Sequence, residues 1–227
     1  LLGGGADKTM SDFSINCRRC ERLATFLDDV RAKYPGYHAK PVPSFGDPEA
    51  RLLVVGLAPG MHGANATGRP FTGDHAGILL YETLHRYGFG SQPEATAADD
   101  GLQLIDCRIT NAVRCLPPQN KPVGSEVNEC NAYLAEELAT MAPGGVVLAL
   151  GGVAHKAVIK ALKLRQADYK FAHASNFAVP GELRLLSSYH CSRYNTQTKR
   201  LTPAMFADVF SQARQHLDKL DSRAAVA

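Results

Sequence analysis

Leu52-Leu-Val-Val-Gly56-Leu-Ala-Pro-Gly60-Met-His-Gly-Ala-Asn-Ala-Thr-Gly68-Arg-Pro-Phe-Thr-Gly-Asp74 begins as an apolar, β-branched run and breaks into a long glycine-rich loop. A strand opening onto such a loop is how a parallel sheet presents a site, because ligands sit beyond the carboxyl ends of its strands. Gly60, Gly63, Gly68 and Gly73, with His62, Asn65, Phe71 and Asp74 among them, are more than a connection needs. Long loops without structure of their own usually carry function.

Outward from this stretch, helical and strand patterns alternate. Cys17 to Lys33 has helical spacing, with Leu23, Phe26, Leu27 and Val30 on one face, and Tyr34 to Pro48 carries four prolines and reads as an irregular crossing. Leu52 to Leu57 is the first predicted strand. Gly77 to Tyr87 is a predicted helix with Ile78, Tyr81, Leu84 and His85 expected to face inward, and Gly88 to Gly101 is a loop. Strands are predicted at Ile109 to Val113, Val146 to Leu150 and Leu183 to Tyr189, and helices at Ser125 to Met141, Val153 to Leu164 and Pro203 to Leu217. Strands alternating with helices imply a parallel α/β sheet covered on both faces.

The chain of 227 residues, 45% apolar, is long enough for one full core. A single domain is expected over 13–220, between flexible tails at 1–12 and 221–227. No apolar run approaches spanning length, and Leu1 to Lys8 lacks the basic and apolar regions of an export signal. A soluble, cytoplasmic protein, most simply a monomer, is therefore expected. The net charge of +3 suits a polyanionic partner but also many ordinary enzymes.

Each predicted strand ends in a polar or glycine cluster: Ala58-Pro59 and the glycine loop, Thr110-Asn111-Ala-Val-Arg-Cys115, Gly151-Gly152, and Ser188-Tyr-His190-Cys-Ser-Arg-Tyr-Asn195. In one parallel sheet these ends share an edge, and so one cleft. Cysteines give a second signal. Cys17 and Cys20 form C-x2-C, and fourteen residues separate Cys115 from Cys130. Four thiolates can hold zinc or an iron–sulfur cluster, and spacing alone does not separate the two. Other glycine-loop chemistries are excluded. Arg69-Pro70 follows Gly68 where a Walker loop needs Lys and Ser or Thr, and neither GxGxxG nor GxSxG occurs.

The glycine loop, together with His190-x-Ser192-x-x-Asn195-Thr196-x-Thr198-x-Arg200-Leu201-Thr202, resembles the family 5, or B-type, uracil-DNA glycosylases. Thr110-Asn111-Ala-Val-Arg-Cys115-x-Pro117-Pro118 and the cysteine spacing fit the same family and its family 4 relatives, so the likeness covers roughly residues 17 to 203. The resemblance implies a three-layer α/β/α sandwich around a central four-stranded parallel sheet. It also implies a 4Fe-4S cluster held by Cys17, Cys20, Cys115 and Cys130, and excision of uracil, hypoxanthine and xanthine from DNA. Three departures stand out: Cys191 replaces a usual Pro, Lys199 a usual Gly, and Ala76 a common Ser.

The residue types suit that chemistry. A glycosylase turns its nucleotide out of the duplex and holds the base by edge and face. Phe71 can supply the face and Asn111 the edge, since a carboxamide both donates and accepts. Departure of the base builds negative charge on the base and positive charge on the sugar. His190 is the candidate donor to the base, Asp74 the carboxylate near the sugar, and loop amides around Gly56, Ala58 and Gly60 further donors. Asp74 equally fits a helix cap. Ser192, Asn195, Thr196 and Thr198 can donate to phosphates, Arg193, Lys199 and Arg200 can neutralise them, and Tyr194 can wedge into the gap left by the flipped nucleotide. The expected function is thus monofunctional hydrolysis of the base–sugar bond by water. A non-catalytic damaged-DNA binder and an iron–sulfur electron carrier are the alternatives.

Overall fold

The computed structural model describes residues 13–224; the tail expected over 1–12 lies outside them. One six-stranded sheet organises the chain: β1 (Phe45–Gly46), β2 (Leu52–Gly56), β3 (Cys107–Asn111), β4 (Val146–Leu150), β5 (Asn176–Val179) and β6 (Leu183–Ser188), in the order β1-β3-β2-β4-β6-β5. The four central strands are parallel, as expected, with Leu52 opposite both Cys107 and Val146, and Val146 opposite Arg184. Two antiparallel edge strands, β1 on β3 and β5 on β6, enlarge the predicted sheet. Both are short and carry few large apolar residues, so they lack the buried-strand signal of the centre.

Every residue of β2 and β4 is buried because both faces are covered. Alternation sends Leu52 and Val54 to one face, with Leu80 and Leu84 of α3 (His75–Arg86) and Phe206 and Phe210 of α7 (Pro203–Ala224). Leu53 and Val55 face the other way, towards Leu134 of α4 (Gly124–Ala139) and Val158 of α5 (Gly152–Ala161). Three layers result. Helix α7 runs on to Ala224, so the tail expected at 221–227 begins within it. Among the described residues no helix is long and apolar enough to cross a membrane.

Two inward assignments in α3 are corrected. Ile78 is 65% exposed and His85 is exposed, whereas Gly77, Leu80, Tyr81, Thr83 and Leu84 are buried. The helix starts at His75, and its buried stripe falls on Leu80, Tyr81 and Leu84, one residue off the predicted face. α1 (Glu21–Lys33) begins after the CxxC, with Cys20 at its N-cap. The glycine loop contains a one-turn helix, α2 (Ala64–Thr67), ended by Gly68 at φ +79°. The segment after β6, to which the sequence assigns no helix, forms α6 (Arg193–Gln197), capped by Ser192.

Candidate active site

Gly56 ends β2 opposite Asn111 at the end of β3, and β4 and β6 end beside them at Leu150 and Ser188. The polar clusters therefore meet at one edge, around a cavity of about 470 Å³ lined by Ala58, Gly60, Phe71, Asp74, Asn111, His190, Ser192 and Arg193. That volume lies in the range of small-molecule sites. Gly56 lines it indirectly, packed beneath Asn111 and Phe71. A Cβ added there would stand 2.7 Å from Phe71 Cζ and closer still to Asn111 Oδ1. The absence of a side chain at Gly56 is what lets these two groups approach each other.

Asn111 is buried, and its Oδ1 has no hydrogen-bond partner. An unmet buried acceptor costs about 1–3 kcal/mol, so a ligand bringing an N–H to this wall has a ready partner. Phe71, beside it, sits at φ +54°, a left-handed conformation that a bulky residue seldom adopts. Its neighbours enforce this. Arg69 makes a buried bidentate pair with Asp100 at 2.8 and 2.6 Å, and Tyr81 Oη donates to Pro70 O at 2.6 Å. The Phe71 ring lies near-parallel to that of His190, centroids 5.9 Å apart.

Asp74 does two things at once. Oδ1 caps α3 by accepting from Gly77 N at 2.9 Å, as the capping alternative expected. Oδ2 turns to the glycine loop, where a Cβ added at Gly63 would lie 2.7 Å from it. Burial raises the Asp74 carboxyl above the usual carboxylate range, opposed by the amides of Gly77 and Ala76 and by His75. Burial alone pushes the His190 imidazole down to about 4. His190 is therefore neutral at physiological pH, able to donate one hydrogen bond without carrying charge.

The residues expected to grip DNA divide. Arg193, Lys199 and Arg200 are exposed, and Tyr194 is 70% exposed on α6. The Arg200 guanidinium lies 4.7 Å over the Tyr189 ring. Lys199 adopts φ +57°, which accounts for a glycine preference at that position. Asn195, expected to meet a phosphate, turns its Nδ2 inward and donates to His190 O at 2.8 Å. The hydroxyls of Thr196 and Thr198 are likewise turned to α6 carbonyls, and Ser192 Oγ accepts from Asn195 N. Short polar residues after a strand end read equally as ligand donors and as local caps, and here each makes such a local bond.

Two polar lining residues escaped the sequence reading. Asn120 reaches the cavity from a turn at Pro118–Asn120 in which Gln119 and Asn120 both have φ +56°. The signal was Pro117-Pro118-Gln-Asn, a turn with an Asn suited to left-handed backbone. His75 lines the cavity next to Asp74, and its Nε2 lies 3.1 Å from Thr196 Oγ1.

Away from this cleft, Cys17, Cys20, Cys115 and Cys130 line a single tight cavity of about 20 Å³. Tyr133 Oη donates to Cys17 Sγ at 3.5 Å, and Arg114 N to Cys130 Sγ at 3.3 Å. Burial, then the neighbouring sulfurs, push Cys115 up, and burial followed by Cys130 pushes Cys20 up to about 11. Cys107 and Cys191 are buried in the main core instead. Among the described residues no three His, Cys, Asp or Glu side chains converge to hold a metal ion. A lone zinc draws thiolates to about 2.3 Å from one centre. Four thiols lining one cavity are a donor set whose chemistry suits either zinc or an iron–sulfur cluster.

Residues 43–214 match the Uracil DNA glycosylase superfamily. The chain is similar to the type-5 uracil-DNA glycosylase of Thermus thermophilus, 46% identical over 204 residues, covering 88% of this chain and 93% of that one. It is 41% identical over 203 residues to the type-5 uracil-DNA glycosylase of Pyrobaculum aerophilum, covering 88% of each. To that of Mycobacterium leprae it is 39% identical over 227 residues, covering 95% and 98%.

Proposed function

Because the chain belongs to the uracil-DNA glycosylase superfamily, and within it to the type-5 enzymes, we propose that the cavity at Asn111 takes up a uracil turned out of DNA. The enzyme is a hydrolase that cuts the base–sugar bond and leaves the DNA chain intact. The unmet Asn111 oxygen, beside Phe71 and in one cavity with Asp74 and His190, carries the assignment of roles. The uracil imide N–H satisfies Asn111 Oδ1, and Phe71 covers the base face. As the C1′–N1 bond breaks, its electron pair leaves with the base, and neutral His190 donates to the oxygen where that charge collects. Asp74 faces the cationic sugar. Water adds its oxygen to C1′ and passes its proton to the Asp74 carboxylate, whose raised proton affinity suits it to act as base.

The same cavity has room for deaminated purines, and we extend the substrate range to hypoxanthine and xanthine. Incubating the protein with labelled uracil, hypoxanthine and xanthine duplexes and measuring free base tests both statements. Uracil released without either purine restricts the range to the pyrimidine, and no release of any base ends the assignment. DNA repair in the cytoplasm is the setting this activity serves.

Asn111→Ala should slow uracil excision by roughly 10- to 100-fold, equivalent to about 1–3 kcal/mol of lost hydrogen bonding in the transition state. Purine release should suffer less, because a larger base gains more from stacking on Phe71. Equal losses on both would show that Asn111 does not read the pyrimidine edge. A second expectation concerns the exposed charges. Changing Arg193, Lys199 and Arg200 together to Ala should weaken duplex binding and flatten its salt dependence by up to about three phosphate contacts. A slope identical to wild type would place these charges off the DNA.

The four cysteines suit a 4Fe-4S cluster, and Cys17, Cys20, Cys115 and Cys130 are the residues to hold it. When bound it supplies a cross-link among chain segments distant in sequence. The Tyr133 hydroxyl and Arg114 amide donate to the sulfurs of Cys17 and Cys130 and so orient two of the four ligands.

A further inference from the structure

Helix α6 turns Arg193 and Tyr194 outward, yet its next two residues are fastened inward to the segments that carry the two groups assigned the chemistry. Asn195 Nδ2 donates to the main-chain carbonyl of His190 at 2.8 Å. Thr196 Oγ1 lies 3.1 Å from Nε2 of His75, the residue that follows Asp74 and opens α3. The single hydroxyl proton of Thr196 faces the carbonyls of Arg193 and Ser192, at 3.1 and 3.2 Å. The oxygen therefore accepts and His75 Nε2–H donates. His75 and Arg193 also line a second groove, of about 760 Å³, adjoining the excision cavity across Asp74.

We propose that Asn195 and Thr196 are positioning residues that tie the DNA-facing helix α6 to the two segments that carry the catalytic side chains. One holds the His190 main chain; the other holds the Asp74–His75 corner. The proposal rests on the reading of Asp74 and His190 as the catalytic pair. A phosphate strand seated against Arg193 and Tyr194 fixes where α6 lies. Two hydrogen bonds then transmit that position to the donor on the base side and to the carboxylate on the sugar side. Seating the DNA and aligning the two groups become one event. Neither Asn195 nor Thr196 touches the reacting atoms, but a misplacement of about 1 Å in such groups costs on the order of a hundredfold in rate.

The experiment compares Thr196→Val, Thr196→Ser, His75→Ala and the Thr196→Val/His75→Ala pair. Each is measured for single-turnover uracil excision at saturating enzyme, for affinity to abasic DNA and for melting temperature. Thr196→Val keeps the branched shape and removes the acceptor. Its single-turnover rate should fall about tenfold with abasic-DNA affinity close to wild type. Thr196→Ser should restore the rate, and the double variant should be no slower than His75→Ala alone. Should Thr196→Val lose folded protein, Asn195→Asp, which turns an acceptor towards the His190 carbonyl, carries the same comparison of rate and affinity. Weakened DNA affinity with an unchanged saturated rate would make the hydroxyl a DNA ligand and overturn the proposal. So would a rate loss that Ser does not restore and that adds in full to His75→Ala. Wild-type protein that releases no uracil refutes the underlying function, whereas active wild type with unaffected variants refutes this proposal alone.

Discussion

Asp74→Asn should lower single-turnover uracil excision by roughly 10²-fold or more while leaving affinity for abasic DNA and folding stability intact. The structure makes this substitution unusually discriminating. Asn caps helices as well as Asp does, so the bond from Gly77 N survives and only the charge on Oδ2 is lost. The sign of the stability effect follows from the raised carboxyl pKa. A carboxyl that holds its proton more tightly when folded contributes stability below its unfolded pKa, and loses it as pH rises through the folded value. At neutral pH the ionised form therefore costs stability, and Asn should melt at the same temperature or higher. Asp74→Ala, which removes the cap as well, should lose about 0.5–2 kcal/mol. Wild-type excision should also fall on acidification as Asp74 takes up its proton, with no contribution from His190 until about pH 4; Asp74→Asn should lack that limb. A lowered melting point with an undiminished rate would leave Asp74 as a cap and nothing more.

The second large effect is expected at Cys115. Replacing it with Ser removes one of the four thiols proposed to hold a cluster that would join α1, the segment after β3, and α4. A link closing roughly a hundred residues restricts the unfolded chain by about 4 kcal/mol on chain-entropy reasoning. Much of the stability of a domain is of that size. Purified wild type should be brown, with iron and sulfide in equal amounts near four each, and Cys115→Ser should be pale, poor in iron and low in folded yield. Cys107→Ala, in the core but outside the four, should keep its full iron and sulfide. Colourless, zinc-loaded and active wild type would reject the iron–sulfur assignment.

The central sheet was legible because fully buried parallel strands read as unbroken apolar runs. Val146 to Leu150 falls where expected to the residue. The edge strand Asn176–Val179 was not, since half of it faces solvent and its pattern is that of a loop. At the site, Phe71, Asp74, Asn111 and His190 were singled out from the segments that follow predicted strands, and the fold brings all four to one cavity. The inward bond of Asn195 was not legible, because a carboxamide serves a phosphate and a carbonyl equally well, and only the backbone path of α6 brings it to His190 O. His75 and Asn120 were missed for different reasons. His75 enters through its place in a helix start, and Asn120 through a turn whose dihedrals no composition reveals.

The pairing of Gly56 with Asn111 sets the proposed base reader inside the ladder of the central strands, whereas Asp74 and His190 are held by loops and helix ends. Native-state amide exchange should then separate them. The amides of the β2–β3 ladder should exchange only with global unfolding, and those of the glycine loop and α6 through smaller local openings. Gentle warming or low denaturant should populate molecules that still accept a base against Asn111 and Phe71 but no longer cut it free. Recognition would thus outlive catalysis, and directed evolution for activity at high temperature would find its gains in the loops and not in the sheet.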